Sequence, residues 1–268
     1  MPKYDEKFYL SQMEESYNSA KELLKQITPL LPEINSVIDV GCGVGTWLKA
    51  WQDQNHKIKI LGIDGNNVDK KYFYIDQNNY KKIDLSNNYK NILIQLKLTD
   101  ENKEKSGKGK GKPFDLAQSL EVAEHLEEKH AENFIQLLTS LSDIVLFSAA
   151  IPHQGGTDHF NEQPPAYWAK LFQKFDYICF DILRYKIWDN KNIAFWYRQN
   201  TMLYIHKNKS HIFEDLGYKS TQNPLHLVRP DYLEAYIKEC KKLERRTLFD
   251  IGKFYLRHPK RMFINKNN

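Results

Sequence analysis

Seven short runs rich in apolar and β-branched residues recur between Ser36 and Ile205: SVIDV, KILGI, KKIDL, FDLAQSL, DIVLFSA, YICFDIL and TMLYI. Most of the intervals between them have room for a crossover helix, which parallel strands need because a tight turn cannot join them. The pattern predicts an α/β fold: a mainly parallel sheet with helices on both faces. Ahead of it, Phe8, Met13, Tyr17, Ala20, Leu23, Leu24 and Ile27 recur at helical spacing, and Pro29 and Pro32 end that helix. After it, PDYLEAYIKECKKLERR and FDIGKFYLRHPKRM read as helical. Three parts are therefore expected: an N-terminal helix over 1–33, a core over 34–209 and a helical C-terminal extension over 210–268. TDENKEKSGKGKGKP offers almost no apolar surface to offset ordering entropy, so 99–113 is expected to be a flexible insertion.

The net charge of +5 suggests a nucleic-acid surface until it is located. Residues 102–112 carry +4 and residues 238–268 carry +7, which leaves −6 on all the others. The folded core is not a basic surface, so nucleic acid is not the expected partner. The three cysteines, Cys42, Cys179 and Cys240, show no disulfide framework or metal-ligand spacing. With no apolar leader or spanning run, a cytoplasmic protein is expected.

VIDVGCGVGT, Val37 to Thr46, has the form strand, glycine turn, helix. Gly41, Gly43 and Gly45 let the backbone turn sharply and approach a ligand, and the helix that follows presents free N–H groups. The third glycine falls one residue early for the G-x-G-x-x-G dinucleotide fingerprint, and Asp39 precedes the first by two residues. Nineteen residues beyond Gly45, a second strand ends in Asp64 followed by Gly65, where an acid can accept from ribose hydroxyls. A third ends in Asp84 and Leu85, and a fourth in Ser119, Leu120 and Glu121, with Glu124 and His125 following. All these residues leave the carboxyl edge of the sheet, where open α/β sheets bind ligands.

In this order and spacing, VIDVGCGVGT, LGIDGN, KIDLS and FDLAQSLEVAEHL resemble the class I S-adenosylmethionine-dependent methyltransferases over residues 36 to about 205. The resemblance implies a Rossmann-like, seven-stranded, mostly parallel sheet whose last strand is antiparallel, with S-adenosylmethionine across the carboxyl ends of the first strands. It places Asp39, Gly41, Gly43 and Gly45 at the methionine moiety, Asp64 and Gly65 at the ribose, Asp84 and Leu85 at the adenine, and Ser119, Leu120 and Glu121 on the inner side. Tyr9, Gln12 and Ser16 of the first helix would close over the amino-acid end.

The same resemblance puts IPHQGGTDHFNEQPPAYW, Ile151 to Trp168, on the acceptor side. His153, His159, Asn161 and Gln163 are then candidates for acceptor binding, with Arg198 from RYKIWDNKNIAFWYRQN. An acceptor hydroxyl that still carries its proton needs a base, for which His125, His159, His153 and Glu121 are candidates, the two first named being the expected catalytic residues. The competing readings are a backbone hydrogen bond for His125 and helix capping for Asn161, Glu162 and Gln163. A metal held by Glu121, His125 and His159 is chemically possible, but no compact ligand spacing marks one, and none is expected. PHQGG, NEQ and WYRQN resemble a methyltransferase branch associated with bacterial capsule and lipopolysaccharide genes. The expected activity is O-methylation of a sugar or phosphoramidate-type group on a small-molecule or nucleotide-linked acceptor. The alternatives are methylation of RNA or another small molecule, and a non-catalytic cofactor-binding partner subunit.

Overall fold

The computed structural model describes residues 6–66, 69–98 and 111–257, without the side chains of residues 6–12, 70, 255 and 256. The side chains of Tyr9 and Gln12, and residues 99–110 of the expected insertion, lie outside the described residues. The chain divides into two compact units, Met1–His226 and Leu227–Asn268.

The first unit opens with α1 (Glu6–Ile27) and continues through β1 (Ser36–Val40), α2 (Thr46–Gln54), β2 (Lys59–Asp64), β3 (Tyr80–Lys82), α3 (Tyr89–Gln95) and β4 (Leu116–Leu120). It is completed by α4 (Ala131–Leu141), β5 (Ile144–Ser148), α5 (Pro165–Gln173), β6 (Tyr177–Phe180), α6 (Leu183–Ile187), α7 (Phe195–Asn200), β7 (Met202–His206) and α8 (His211–Glu214). The strands form one seven-stranded sheet in the order β3-β2-β1-β4-β5-β7-β6. Pairing is parallel from β3 to β5, and β7 runs antiparallel to both β5 and β6.

Strand alternation divides the core into two layers. Val37, Leu146, Leu203 and Ile205 face a layer containing Leu23 and Ile27 of α1, Trp47 and Trp51 of α2, and Phe213 of α8. Ile38, Val40, Val145, Phe147 and Tyr204 face the other, which holds Ile92, Phe134, Leu138, Trp168 and Phe172. Helices thus cover both faces. Phe172 stacks on Tyr204 with ring centroids 3.8 Å apart, fixing α5 against β7. The strand order reverses between β1 and β4, so the loops after these strands diverge and leave a crevice at their carboxyl ends.

The second unit is dominated by α9 (Pro230–Arg257), one continuous helix through the first of the stretches that read as helical and into the second. No described helix is long and apolar enough to cross a membrane.

Candidate active site

The glycine loop begins where β1 ends. The amides of Gly41 and Cys42 donate to the carbonyl of Ile63 at 2.8 and 3.1 Å, bending the chain over the end of β2. Gly41 has φ +88°, and a Cβ there would fall 2.4 Å from Cγ2 of Val122. Gly43 has φ +52° and nothing within 4 Å of an added Cβ, so its missing side chain leaves open space. Gly45, at the N-terminus of α2, packs instead on Ile75.

Asp64 holds this loop in place. It is buried at the end of β2, its Oδ2 accepting from Gly43 N at 2.8 Å and its Oδ1 from Asn66 N at 2.8 Å. Asp84, just beyond β3, accepts from the amide and hydroxyl of Ser86 at 2.9 and 2.7 Å; these bonds hold its carboxyl below the usual carboxylate range. A cleft of about 710 Å³ opens at this edge. Gly41, Gly43, Asp64, Gly65, Asp84, Leu85, Glu121 and His125, drawn from four loops, all line it.

The other sequence candidates lie around the cleft. Asp39 is buried in β1 opposite Gln118, and burial raises its carboxyl to about 7. Ser119 and Leu120 are buried within β4, and the Ser119 hydroxyl has no hydrogen-bond partner among the described residues. Ser16 reaches from α1 to Thr46 Oγ1 at 2.9 Å and Tyr197 OH at 3.4 Å, tying the first helix to the start of α2. Arg198 is buried and donates to the carbonyl of Trp188 at 3.3 Å. Arg184, wholly buried, forms a bidentate pair with Asp181.

The polar loop after β5 is organised by its own side chains. Glu162 accepts from His153 N (2.7 Å), Gly155 N (2.8 Å) and His159 Nδ1 (2.9 Å). Asn161 Oδ1 accepts from Gln163 Nε2 at 2.9 Å, so neither residue caps α5. Gln154 donates to Glu121 Oε2 at 3.1 Å and accepts from Gln199 and Asn200 at 3.2 and 2.9 Å. Asn200 also donates to Glu121 Oε1 at 3.1 Å. Glu121 and Asp158, both lining the cleft, have φ +56° and +57°, a left-handed backbone that side-chain-bearing residues adopt at a cost, and His153 of the same polar loop has φ +69°. The Glu162 anchor and the Gln154 bridge were not visible in the sequence, where both residues are single polar positions within a polar run.

Glu124 and His125 follow on a 3₁₀ turn, Ala123–His125, whose Glu124 carbonyl accepts from Phe160 N and Asn161 N at 2.8 and 3.0 Å. These two bonds staple the polar loop to the end of β4. They bring the His159 ring edge-on to His125, centroids 4.8 Å apart. His125 Nδ1 lies 3.1 Å from the carbonyl of Asp158, and burial lowers its pKa, which favours the neutral imidazole. Glu124 is wholly buried; burial first, then the neighbouring Glu121 charge, raises its carboxyl well above the usual range. The amides of Glu124 and Ala150 temper that shift, yet neither makes a hydrogen bond of normal geometry to the carboxylate.

Residues 9–200 match the family described as methyltransferase domain, a span that holds six of the seven strands, the glycine loop and the cleft. The chain belongs to the methyltransferase domain family. It is similar to a SAM-dependent methyltransferase from Archaeoglobus fulgidus, with 15% identity over 75% of this chain and 99% of that one and a TM-score of 0.49. It is also similar to the magnesium protoporphyrin IX methyltransferase of Synechocystis PCC 6803 with bound SAH: 14% identity, 77% and 90% coverage, TM-score 0.45. An O-methyltransferase family protein from Burkholderia thailandensis is a third, with 12% identity, 71% and 57% coverage and a TM-score of 0.45. No curated protein matches the chain. In this methyltransferase the loops after β1 to β4, His125 among their residues, build the cleft wall, and the loop after β5 adds Thr157 and Asp158 to it.

Proposed function

We propose that this methyltransferase uses S-adenosylmethionine to methylate a sugar hydroxyl on a precursor of a bacterial surface polysaccharide. The cleft suits the cofactor: its volume lies in the ordinary range for small-molecule sites, and at Gly43 the backbone leaves open space for a ligand. Asp64 would accept from the ribose hydroxyls, Asp84 and Leu85 would meet the adenine, and the loop from Gly41 to Gly43 would face the methionine end. When bound, the cofactor supplies an electrophilic methyl group on a sulfonium.

The observation that carries the choice of acceptor is the charge of the lining. Asp64, Asp84, Glu121 and Asp158 line the cleft, and among the described residues no Lys or Arg lines it. Such a wall favours the cationic sulfonium and ammonium and disfavours an anionic phosphate or phosphoramidate, which would need arginine or lysine. Both candidate cations of the late segment, Arg184 and Arg198, are buried within the fold. A neutral hydroxyl meets no such conflict, and the likeness of PHQGG, NEQ and WYRQN to the capsule-associated branch selects a sugar to carry it. His125, which lines the cleft, and His159, whose ring meets it edge-on, would face the acceptor oxygen as its proton leaves, and Glu121, held by Asn200 and Gln154, would fix the inner wall. Holding the acceptor oxygen in line with the methyl group supplies much of the rate.

The test is transfer of labelled methyl to nucleotide-sugars, phosphoramidates and RNA, side by side. Methyl ether formation on a sugar supports the proposal. Labelling of RNA or of a phosphorus-bound oxygen instead would overturn it.

A further inference from the structure

Glu124 has no solvent exposure, and neither of its carboxylate oxygens has a hydrogen-bond partner among the described residues. No described ion pair involves it either. A buried carboxylate with both oxygens unmatched is costly unless something positive reaches it. Besides the amides of Glu124 and Ala150, which fall short of hydrogen-bond geometry, imidazole faces it: one ligand atom each from Glu124, His125 and His159 lie within 4.8 Å of one another.

The two rings are prepared for the same task. His125 Nδ1 is 3.1 Å from the Asp158 carbonyl and His159 Nδ1 is 2.9 Å from Glu162 Oε1. These oxygens accept, so in the neutral ring Nδ1 carries the hydrogen and Nε2 keeps its lone pair. An oxygen behind the imidazole is the usual support of a metal-binding histidine, fixing both tautomer and ring orientation. The ligands come from separate segments, and the Phe160 and Asn161 amides bonded to the Glu124 carbonyl hold those segments together.

We infer that Glu124, His125 and His159 form a binding site for one divalent first-row transition-metal cation, next to the cofactor cleft that His125 lines. Two imidazoles and one carboxylate suit Mn²⁺, Fe²⁺, Co²⁺ or Zn²⁺ better than Mg²⁺ or Ca²⁺, and three protein ligands leave positions open for an outside oxygen. Glu121 is engaged by Asn200 and Gln154 and stands beside the site rather than in it. The cation's role rests on the O-methylation proposed above. Bound to the metal, the acceptor hydroxyl becomes more acidic and gives its proton to water. An oxygen lone pair then forms the O–C bond to the methyl group as the C–S bond breaks, and that electron pair stays on sulfur. The histidines are then ligands, and the proton does not rest on them.

The site is tested by titrating the metal-stripped protein with Mn²⁺ alone, without cofactor or acceptor, and following free Mn²⁺ by electron paramagnetic resonance. One Mn²⁺ per chain is expected, lost in Glu124→Gln and in His159→Asn, while Glu162→Gln weakens it by about 10–100-fold. Co²⁺ in place of Mn²⁺ should show ligand-field bands that disappear in the same variants. If Glu124→Gln fails to fold, His159→Asn, in a half-buried loop position, decides alone. Absence of stoichiometric Mn²⁺ or Co²⁺ at millimolar concentration, or binding unchanged in His159→Asn, would overturn the site. Because no methyl transfer is measured, failure of the sugar assay leaves this result independent.

Discussion

Nδ1 of His159 lies 2.9 Å from Oε1 of Glu162, and the same carboxylate accepts from the amides of His153 and Gly155. One acid therefore sets both the path of the polar loop and the direction of the ring. Hydrogen bonds to a charged group contribute roughly 1.5–3 kcal/mol when well shielded. Glu162 is partly exposed, so Glu162→Ala should cost about 1–2 kcal/mol of stability, read from denaturant unfolding. It should also lower the maximal rate while cofactor affinity stays close to that of the parent. A variant as active and stable as the parent would remove Glu162 as the loop's anchor.

Gly41 and Gly43 should separate folding from binding. Gly41→Ala places a Cβ against Val122 in a left-handed backbone, so it should cost on the order of 1–3 kcal/mol of stability. Gly43→Ala meets no protein atom and should cost about 1 kcal/mol, yet its methyl enters the cleft and should weaken S-adenosylmethionine. Thermal unfolding and calorimetry on both variants check this. Equal cofactor affinity in Gly43→Ala and parent would mean the ligand does not approach that glycine.

The glycine loop, the acids after β2 and β3 and the order of alternating elements were legible because each is local: a strand, a turn and one residue type at one spacing. The antiparallel last strand came only from the family resemblance and the sheet order only from the structure, since pairing partners are not written in any one run. The site around Glu124 was least legible. His159 lies far along the chain from Glu124 and His125, and only the bonds from Phe160 and Asn161 to the Glu124 carbonyl bring the three together. Charge in the sequence was equally silent about place: Arg198 reads as a candidate contact for the acceptor but is buried, donating to the Trp188 carbonyl.

Asp39 should make stability depend on pH. Burial raises its folded-state pKa to about 7, above the unfolded value near 4. Its contribution is therefore fully present below about pH 4 and is lost as pH rises towards about 7, because the folded state binds the proton more tightly. Asp39→Asn keeps a polar group opposite Gln118 and should flatten that part of the profile. Denaturant unfolding between pH 4 and 8 measures it. An unaltered slope in the variant would assign the pH dependence to other groups.

Histidine and arginine variants should differ in kind. With S-adenosylmethionine saturating, His159→Ala and His125→Ala should each lower the maximal rate by about 10²-fold or more. Arg198→Ala removes a buried side chain and should act mainly on stability, leaving the acceptor Michaelis constant nearly unchanged. A raised acceptor Michaelis constant in Arg198→Ala, with mild histidine effects, would point to an anionic acceptor instead.

The cleft as a cofactor site is tested most directly at Asp64, whose carboxylate already holds Gly43 N at 2.8 Å and would receive the ribose hydroxyls. Isothermal titration of S-adenosylmethionine into parent and Asp64→Ala proteins should show affinity reduced by roughly 1.5–3 kcal/mol, about 10- to 150-fold. Equal affinity in the two proteins would contradict the assignment.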